Sequence, residues 1–138
     1  IMASNAFQCL IGDDEIRASL SRIRRALVDG GRFAFGSRHP QAKAWLDWNP
    51  GNAEDVVDHQ GRKVRSWYEV ESVHDDLVTF SGYVGDAHTT TTLRFIAPDR
   101  LNELLSEAGF AVESQHGDFT GGELIAESPL VVTIARRR

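Results

Sequence analysis

The sequence predicts an α/β fold in which a short parallel layer carries an inserted antiparallel meander. Three observations lead there. Residues 13–36 read helix, glycine pair, apolar strand, which is half of a βαβ unit. Residues 64–96 hold three β-like runs separated by short turn-forming breaks. Residues 98–135 then give a second amphipathic helix and two strands joined by a glycine-rich loop.

Each element has its own local reason. The opening Ile1-Met2-Ala3 is apolar at once and reads as the end of a buried strand, followed by a loop. It predicts a chain that starts partway through a fold. From Asp13 to Val28, Ile16, Leu20, Ile23 and Leu27 recur at the spacing of one helix face. Asp13, Asp14 and Glu15 lie at the positive end of the helix dipole, and Arg22, Arg24 and Arg25 near its negative end. Gly30-Gly31 is expected to stop this helix, and Arg32–Gly36, apolar and bounded by glycine, to follow as a buried strand running parallel to the opening one.

Pro40 begins a short helical stretch carrying Ala42, Trp45 and Leu46, which ends before the turn signal Asn49-Pro50-Gly51-Asn52. The polar segment Glu54–Gly61 reads as a surface loop. Val64–Val73, Leu77–Val84 and His88–Ile96 form the three-stranded meander, its β-branched run Thr89–Thr92 favouring strand. Pro98–Ala108 places Leu101, Leu104, Leu105 and Ala108 on one helix face, with Gly109 just beyond. Phe110–His116 and Leu130–Ala135 are the last strands, with Gly117–Pro129 as the loop between them. No repeat or linker divides the chain, so residues 1–138 are expected to form one domain with 64–96 as its insert.

Composition narrows the function. A 41% hydrophobic and 25% charged content is that of an ordinary globular domain. Twenty acidic against 15 basic residues give a net charge of -5, with no clustered basic face for nucleic acid. The one dense positive patch, Arg136-Arg137-Arg138, reads as a solvated tail. A single cysteine, Cys9, excludes an internal disulfide and is expected to be a small buried residue. With no apolar run of spanning length and no signal peptide pattern, the expected setting is the cytoplasm and no membrane partner.

The order of strand end, helix, Gly-Gly, strand, insert, helix, Gly-Phe strand, loop and strand resembles the second half of class I S-adenosylmethionine-dependent methyltransferases. Ser4–Leu10 looks like the segment leaving the fourth strand of that fold. Arg22–Phe33 looks like the helix and fifth strand that follow, and Leu104–Phe110 with Leu130–Ala135 like the last helix and strand pair. The resemblance covers nearly the whole chain. It implies a partial Rossmann-like methyltransferase sheet, S-adenosylmethionine as cofactor and a small-molecule methyl acceptor. Family members hold the cofactor through a glycine-rich loop after the first strand and an acidic residue ending the second. Neither lies in this sequence. Gly30-Gly31 and Gly121-Gly122 do not stand between a strand and the helix it opens.

By the same resemblance, Asn5, Ala6 and Gln8 fall beside the methionine part of the cofactor. Ser37, Arg38 and His39 follow the Phe33–Phe35 strand, at the carboxyl end where open α/β sheets bind ligands. Trp45, with Trp48, Trp67, Tyr68 and Tyr83, is a candidate wall of an acceptor pocket beneath the meander. The histidines His39, His59, His74, His88 and His116 qualify as bases by residue type alone, and none has metal-ligand spacing. Methyl transfer depends mainly on holding donor and acceptor at near-attack distance, so no catalytic residue is marked. Two rival readings remain. One is a non-catalytic module that self-associates, most simply as a homodimer, through the open sheet edge at Ile1. The other is an unrelated α+β ligand-binding fold built around the meander.

Overall fold

A computed structural model describes all 138 residues. Helix α1 spans Asp13–Ala26 and α2 spans Pro98–Glu107. The strands are β1 Arg32–Arg38, β2 Glu54–Val57, β3 Lys63–His74, β4 Leu77–Val84, β5 Ala87–Arg94, β6 Phe110–His116 and β7 Leu130–Arg137. They form two sheets, ordered β1-β7-β6 and β2-β3-β4-β5.

The parallel layer is present at its first rung. Met2 pairs with Phe35 in the parallel sense, and the Met2 N–H donates to the Ala34 carbonyl at 2.9 Å. The opening segment and β1 are therefore same-direction neighbours, with α1 between them in sequence. On its other side β1 pairs antiparallel with β7, Arg32 facing Arg136 and Arg38 facing Leu130, and β7 pairs antiparallel with β6. The last two strands thus finish the sheet antiparallel, as the resemblance implies.

One core holds this layer to the helices. Phe33 and Phe35 stack on each other, and Phe35 stacks on Phe7 with ring centroids 4.4 Å apart. Ile16 and Leu20 of α1, and Leu101, Leu104 and Leu105 of α2, close over them and are completely buried. The helical periodicities of the sequence are the imprint of this contact.

Several expectations need correction. Glu54–Gly61 is not all loop: Glu54–Val57 pairs with Lys63–Ser66, so the insert has four strands. The Asp58 carboxylate accepts from the backbone N–H groups of Gln60 and Arg62, making a tight turn that brings the polar segment into register. The Pro40 stretch is a series of separate 3-10 turns, interrupted where Lys43 adopts φ 47°. Helix α1 ends at Ala26, and Gly30, at φ 73°, instead shapes the turn into β1. Cys9 is exposed, because Phe7 and Gln8 take the inward positions of that turn.

The arginine tail is also not free. Arg136 and Arg137 belong to β7, where the Arg137 guanidinium donates to the carbonyls of Leu27 and Arg24 at the end of α1. A cation there meets the negative end of the helix dipole. No helix is long and apolar enough to cross a membrane.

The inserted sheet packs on a smaller core of Val78, Phe80, Leu93 and Phe95, against which Trp45, Trp48 and Val70 are partly buried. Two links tie it to the first layer. The buried Gln8 side chain donates to the Arg94 carbonyl at 3.1 Å and accepts from the Arg38 backbone N–H at 3.2 Å. Arg94 bonds Asp13 at 2.6 Å and Asp76 at 2.7 Å, and Arg100 bonds Asp13 at 2.6 Å.

Candidate active site

The opening segment, which forms a single bridge at Met2 and leaves Ile1 exposed where a buried strand was expected, runs in the same direction as β1, so their carboxyl ends lie side by side. At the first, Ser4 and Asn5 both adopt φ 55°, turning the chain sharply into the Ala6–Cys9 turn. The Asn5 Oδ1 atom is buried and finds no hydrogen-bond partner. At the second, the Ser37 hydroxyl is likewise buried and unpartnered. Buried polar atoms are nearly always satisfied, so two orphans at adjacent strand ends require an explanation.

Gly36 lies beside Asn5. A Cβ at that position would come 3.1 Å from the Phe119 ring and 3.7 Å from Asn5 Oδ1. Phe119 reaches this point from the glycine-rich loop, which Asp118 ties down by accepting from the N–H groups of Thr120 and Gly122. These bonds hold the Asp118 carboxyl below its ordinary pKa. Phe119 itself is 70% exposed. Sequence reasoning passed over it; its signal was a lone aromatic in a stretch otherwise made of turn residues.

The next residue on the Gly36 face of β1 is Arg38. Its guanidinium lies over the Trp48 ring, 5.3 Å from the centroid, and Nη1 donates to Gln8 Oε1 at 3.2 Å. Trp48 in turn packs on Phe80 at 4.5 Å and Tyr68 at 5.8 Å, while Trp45 meets Phe95 edge-on at 4.7 Å. Both tryptophans border an open groove of about 500 Å³ that continues along Val70 and Val73 of β3.

The residues singled out from sequence thus divide. Asn5 and Ser37 lie at the two strand ends, Ser37 on the face of β1 opposite Arg38, while Arg38 lies over Trp48, which packs on Tyr68 and shares a groove with Trp45. Gln8 is buried and committed to protein partners at both ends of its amide. Ala6 is exposed and offers no side-chain polar group. His39 is buried, and its Nδ1 accepts from the Gln41 N–H to start the Pro40 turn; burial pushes its imidazole below the ordinary pKa. Tyr83 is not with Trp45. It projects from the other face of the meander, in a stack with Trp67 at 4.8 Å and His88 at 5.2 Å. Alternation along β4 sends Phe80 and Tyr83, three residues apart, to opposite sides.

Open α/β sheets bind ligands beyond the carboxyl ends of their strands. Comparison with solved structures makes the class specific: the fold is that of S-adenosylmethionine-dependent methyltransferases. A methyltransferase from Clostridium acetobutylicum ATCC 824 superposes with a TM-score of 0.76 at 15% identity, over 98% of this chain and 56% of its own. The CcbJ methyltransferase of Streptomyces caelestis gives 0.66 at 19% identity, over 99% and 58%. CalS10, an amino pentose methyltransferase of Micromonospora echinaspora solved with bound S-adenosylmethionine, gives 0.65 at 18% identity, over 98% and 56%. The chain therefore spans just over half the length of these structures. No protein-family model and no curated protein matches the sequence.

Proposed function

We propose that this chain forms the acceptor-side part of an S-adenosylmethionine-dependent methyltransferase acting on a small molecule. The observation that carries the reading is the pair of orphaned buried oxygens, on Asn5 and Ser37, at the carboxyl ends of two parallel neighbours. The sharp left-handed turn at Ser4-Asn5 is the kind of strain that persists where backbone geometry serves a ligand.

These residues fit the methionine end of the cofactor and no more of it. Asn5 Oδ1 is an acceptor with nothing to accept from, suited to an ammonium group. Gly36 keeps the adjacent backbone free of a side chain that would fill the space under Phe119. When bound, S-adenosylmethionine supplies an electrophilic methyl group. The chain's own part is to orient an acceptor and exclude water, with Trp45, Trp48 and Tyr68 as the apolar surface. Buried His39, its Nδ1 already engaged, is a turn residue and not a base in this reading. Among the solved neighbours are CalS10, named for an amino pentose, and MtfA, named as a glycopeptide N-methyltransferase. The MtfA name states a nitrogen nucleophile, and the acceptor proposed here is of that class.

Calorimetric titration of S-adenosylmethionine into the protein tests the reading. Saturable binding is expected, weakened about tenfold in Asn5→Ala through loss of one hydrogen bond to a charged group. No saturation up to millimolar cofactor overturns it. Mass that rises with protein concentration in the same samples would then favour the self-associating module, for which the fully exposed Ile1 marks an open edge.

A further inference from the structure

Arg38 and Arg24 are the partly buried arginines without a side-chain carboxylate partner, and Arg24 instead donates to the backbone oxygen of Arg138. Arg94 bonds two carboxylates, Arg100 bonds Asp13 and Glu103, and Arg137 pairs with Asp29. Arg38 has no carboxylate partner: Nη1 meets the neutral Gln8 amide, while Nε and Nη2 find no protein acceptor and are not sealed off from solvent. A partly desolvated cation without a counter-charge is costly unless something supplies one. Burial lowers its pKa, opposed only by the nearby Tyr68 phenol, whereas the carboxylates around Arg94 and Arg100 raise theirs.

The guanidinium is also held in place. Gln8 Oε1 accepts from both the backbone and the side chain of Arg38, and the Trp48 ring backs it. A planar fork fixed on one side and free on the other is the arrangement that grips a carboxylate through two parallel bonds. The two grooves bordered by Trp48 are lined by no lysine or arginine and include Asp47, Glu54 and Glu69, so Arg38 meets them only through the Trp48 ring on which it lies. One cation among acidic neighbours matches one negative charge, not two.

We infer that Arg38 is the recognition residue for a carboxylate on the methyl acceptor, an apolar-bodied monoanion whose body packs on Trp48 and Tyr68. This rests on the methyltransferase reading for the word acceptor, but the anion site itself does not. The test uses benzoate, its neutral counterpart benzamide, phenyl phosphate and S-adenosylmethionine, each titrated while the Arg38 Nε–Hε and Trp48 indole resonances are followed by NMR.

Benzoate is expected to shift both resonances saturably and to bind about tenfold more tightly than benzamide, since a charge-assisted pair replaces a neutral one. Phenyl phosphate should bind no better than benzoate. Arg38→Gln should erase the preference for benzoate over benzamide. Gln8→Glu should erase it too, by giving the guanidinium an internal carboxylate of the same size. Equal binding of benzoate and benzamide to the unaltered protein overturns the inference, and so does tighter binding of phenyl phosphate. A shift of the Arg38 resonance by S-adenosylmethionine but not by benzoate would assign the residue to the cofactor and also overturn it. Cofactor binding without benzoate binding rejects the anion site alone. Benzoate binding without cofactor binding rejects the methyltransferase reading and leaves the site standing.

Discussion

The two sheets are built to different standards. The β1-β7-β6 layer is backed by two helices and shares a core of 11 buried residues, among them Phe33, Phe35 and Phe110 from the strands and Leu20, Leu101, Leu104 and Leu105 from the helices. The inserted sheet has four buried core residues and is otherwise lined by half-exposed aromatics and hydroxyls, among them Thr79–Thr92 and Ser81–Thr90 pairs at 2.8 Å. The first has the apolar burial to be the stability of the molecule. The second is held at its rim by Gln8 and Arg94, and its looser packing leaves an aromatic surface open.

Four measurements test whether the two sheets differ in this way. The largest effect is expected from Phe35→Ala, which should cost about 3–5 kcal/mol in urea unfolding, against about 1–2 kcal/mol for the half-exposed Trp48→Ala. Equal costs would dissolve the distinction between the two sheets. Next, Gln8→Ala removes the bonds that join β1 to β5 and should cost about 1–3 kcal/mol. Hydrogen exchange should then quicken in β3–β5 while β1, β6 and β7 keep their protection. Uniform loss of protection would mean that the sheets open as one unit.

The third measurement concerns pH. Arg100 and Arg94 hold the Asp13 carboxyl down to about 2 from an ordinary 3.8. A depressed carboxyl stabilises the fold above its unfolded value, and that stability is lost as pH falls from near 3.8 toward about 2. The urea midpoint should fall across this window, and Asp13→Asn should remove that part of the slope. The smallest effect is that of His39. Its imidazole lies below the ordinary 6.5, so the unfolded chain binds protons first. Its contribution is complete above pH 6.5 and declines as pH drops below that value, a slope that His39→Asn should flatten while its side chain still caps the Pro40 turn.

Much of the scaffold was readable because burial writes a period into sequence. Ile16, Leu20, Leu101, Leu104 and Leu105 mark two helices at 3.6-residue spacing, and the alternation and turn residues around 74–76 and 85–87 mark the hairpins. The β2 strand was not readable, since Glu54-Asp55-Val56-Val57 becomes a strand through its partner β3 and not through its own apolarity. For the candidate site, the family resemblance had singled out Asn5, and position at the carboxyl end of a strand Ser37 and Arg38. Nothing local could show that Gln8 is consumed by Arg38 and Arg94, or that Tyr83 turns away from Trp45.

What the sequence alone determined, then, is the order of elements and the face each helix buries, because those depend on neighbours three or four residues away. Which polar groups end without partners was decided only by tertiary structure. Asn5 Oδ1, the Ser37 hydroxyl and the open side of Arg38 depend on contacts made or missed by residues such as Gln8, Trp48 and Phe119. Hydrogen-bond satisfaction is a property of the assembled surroundings, and no local pattern encodes it.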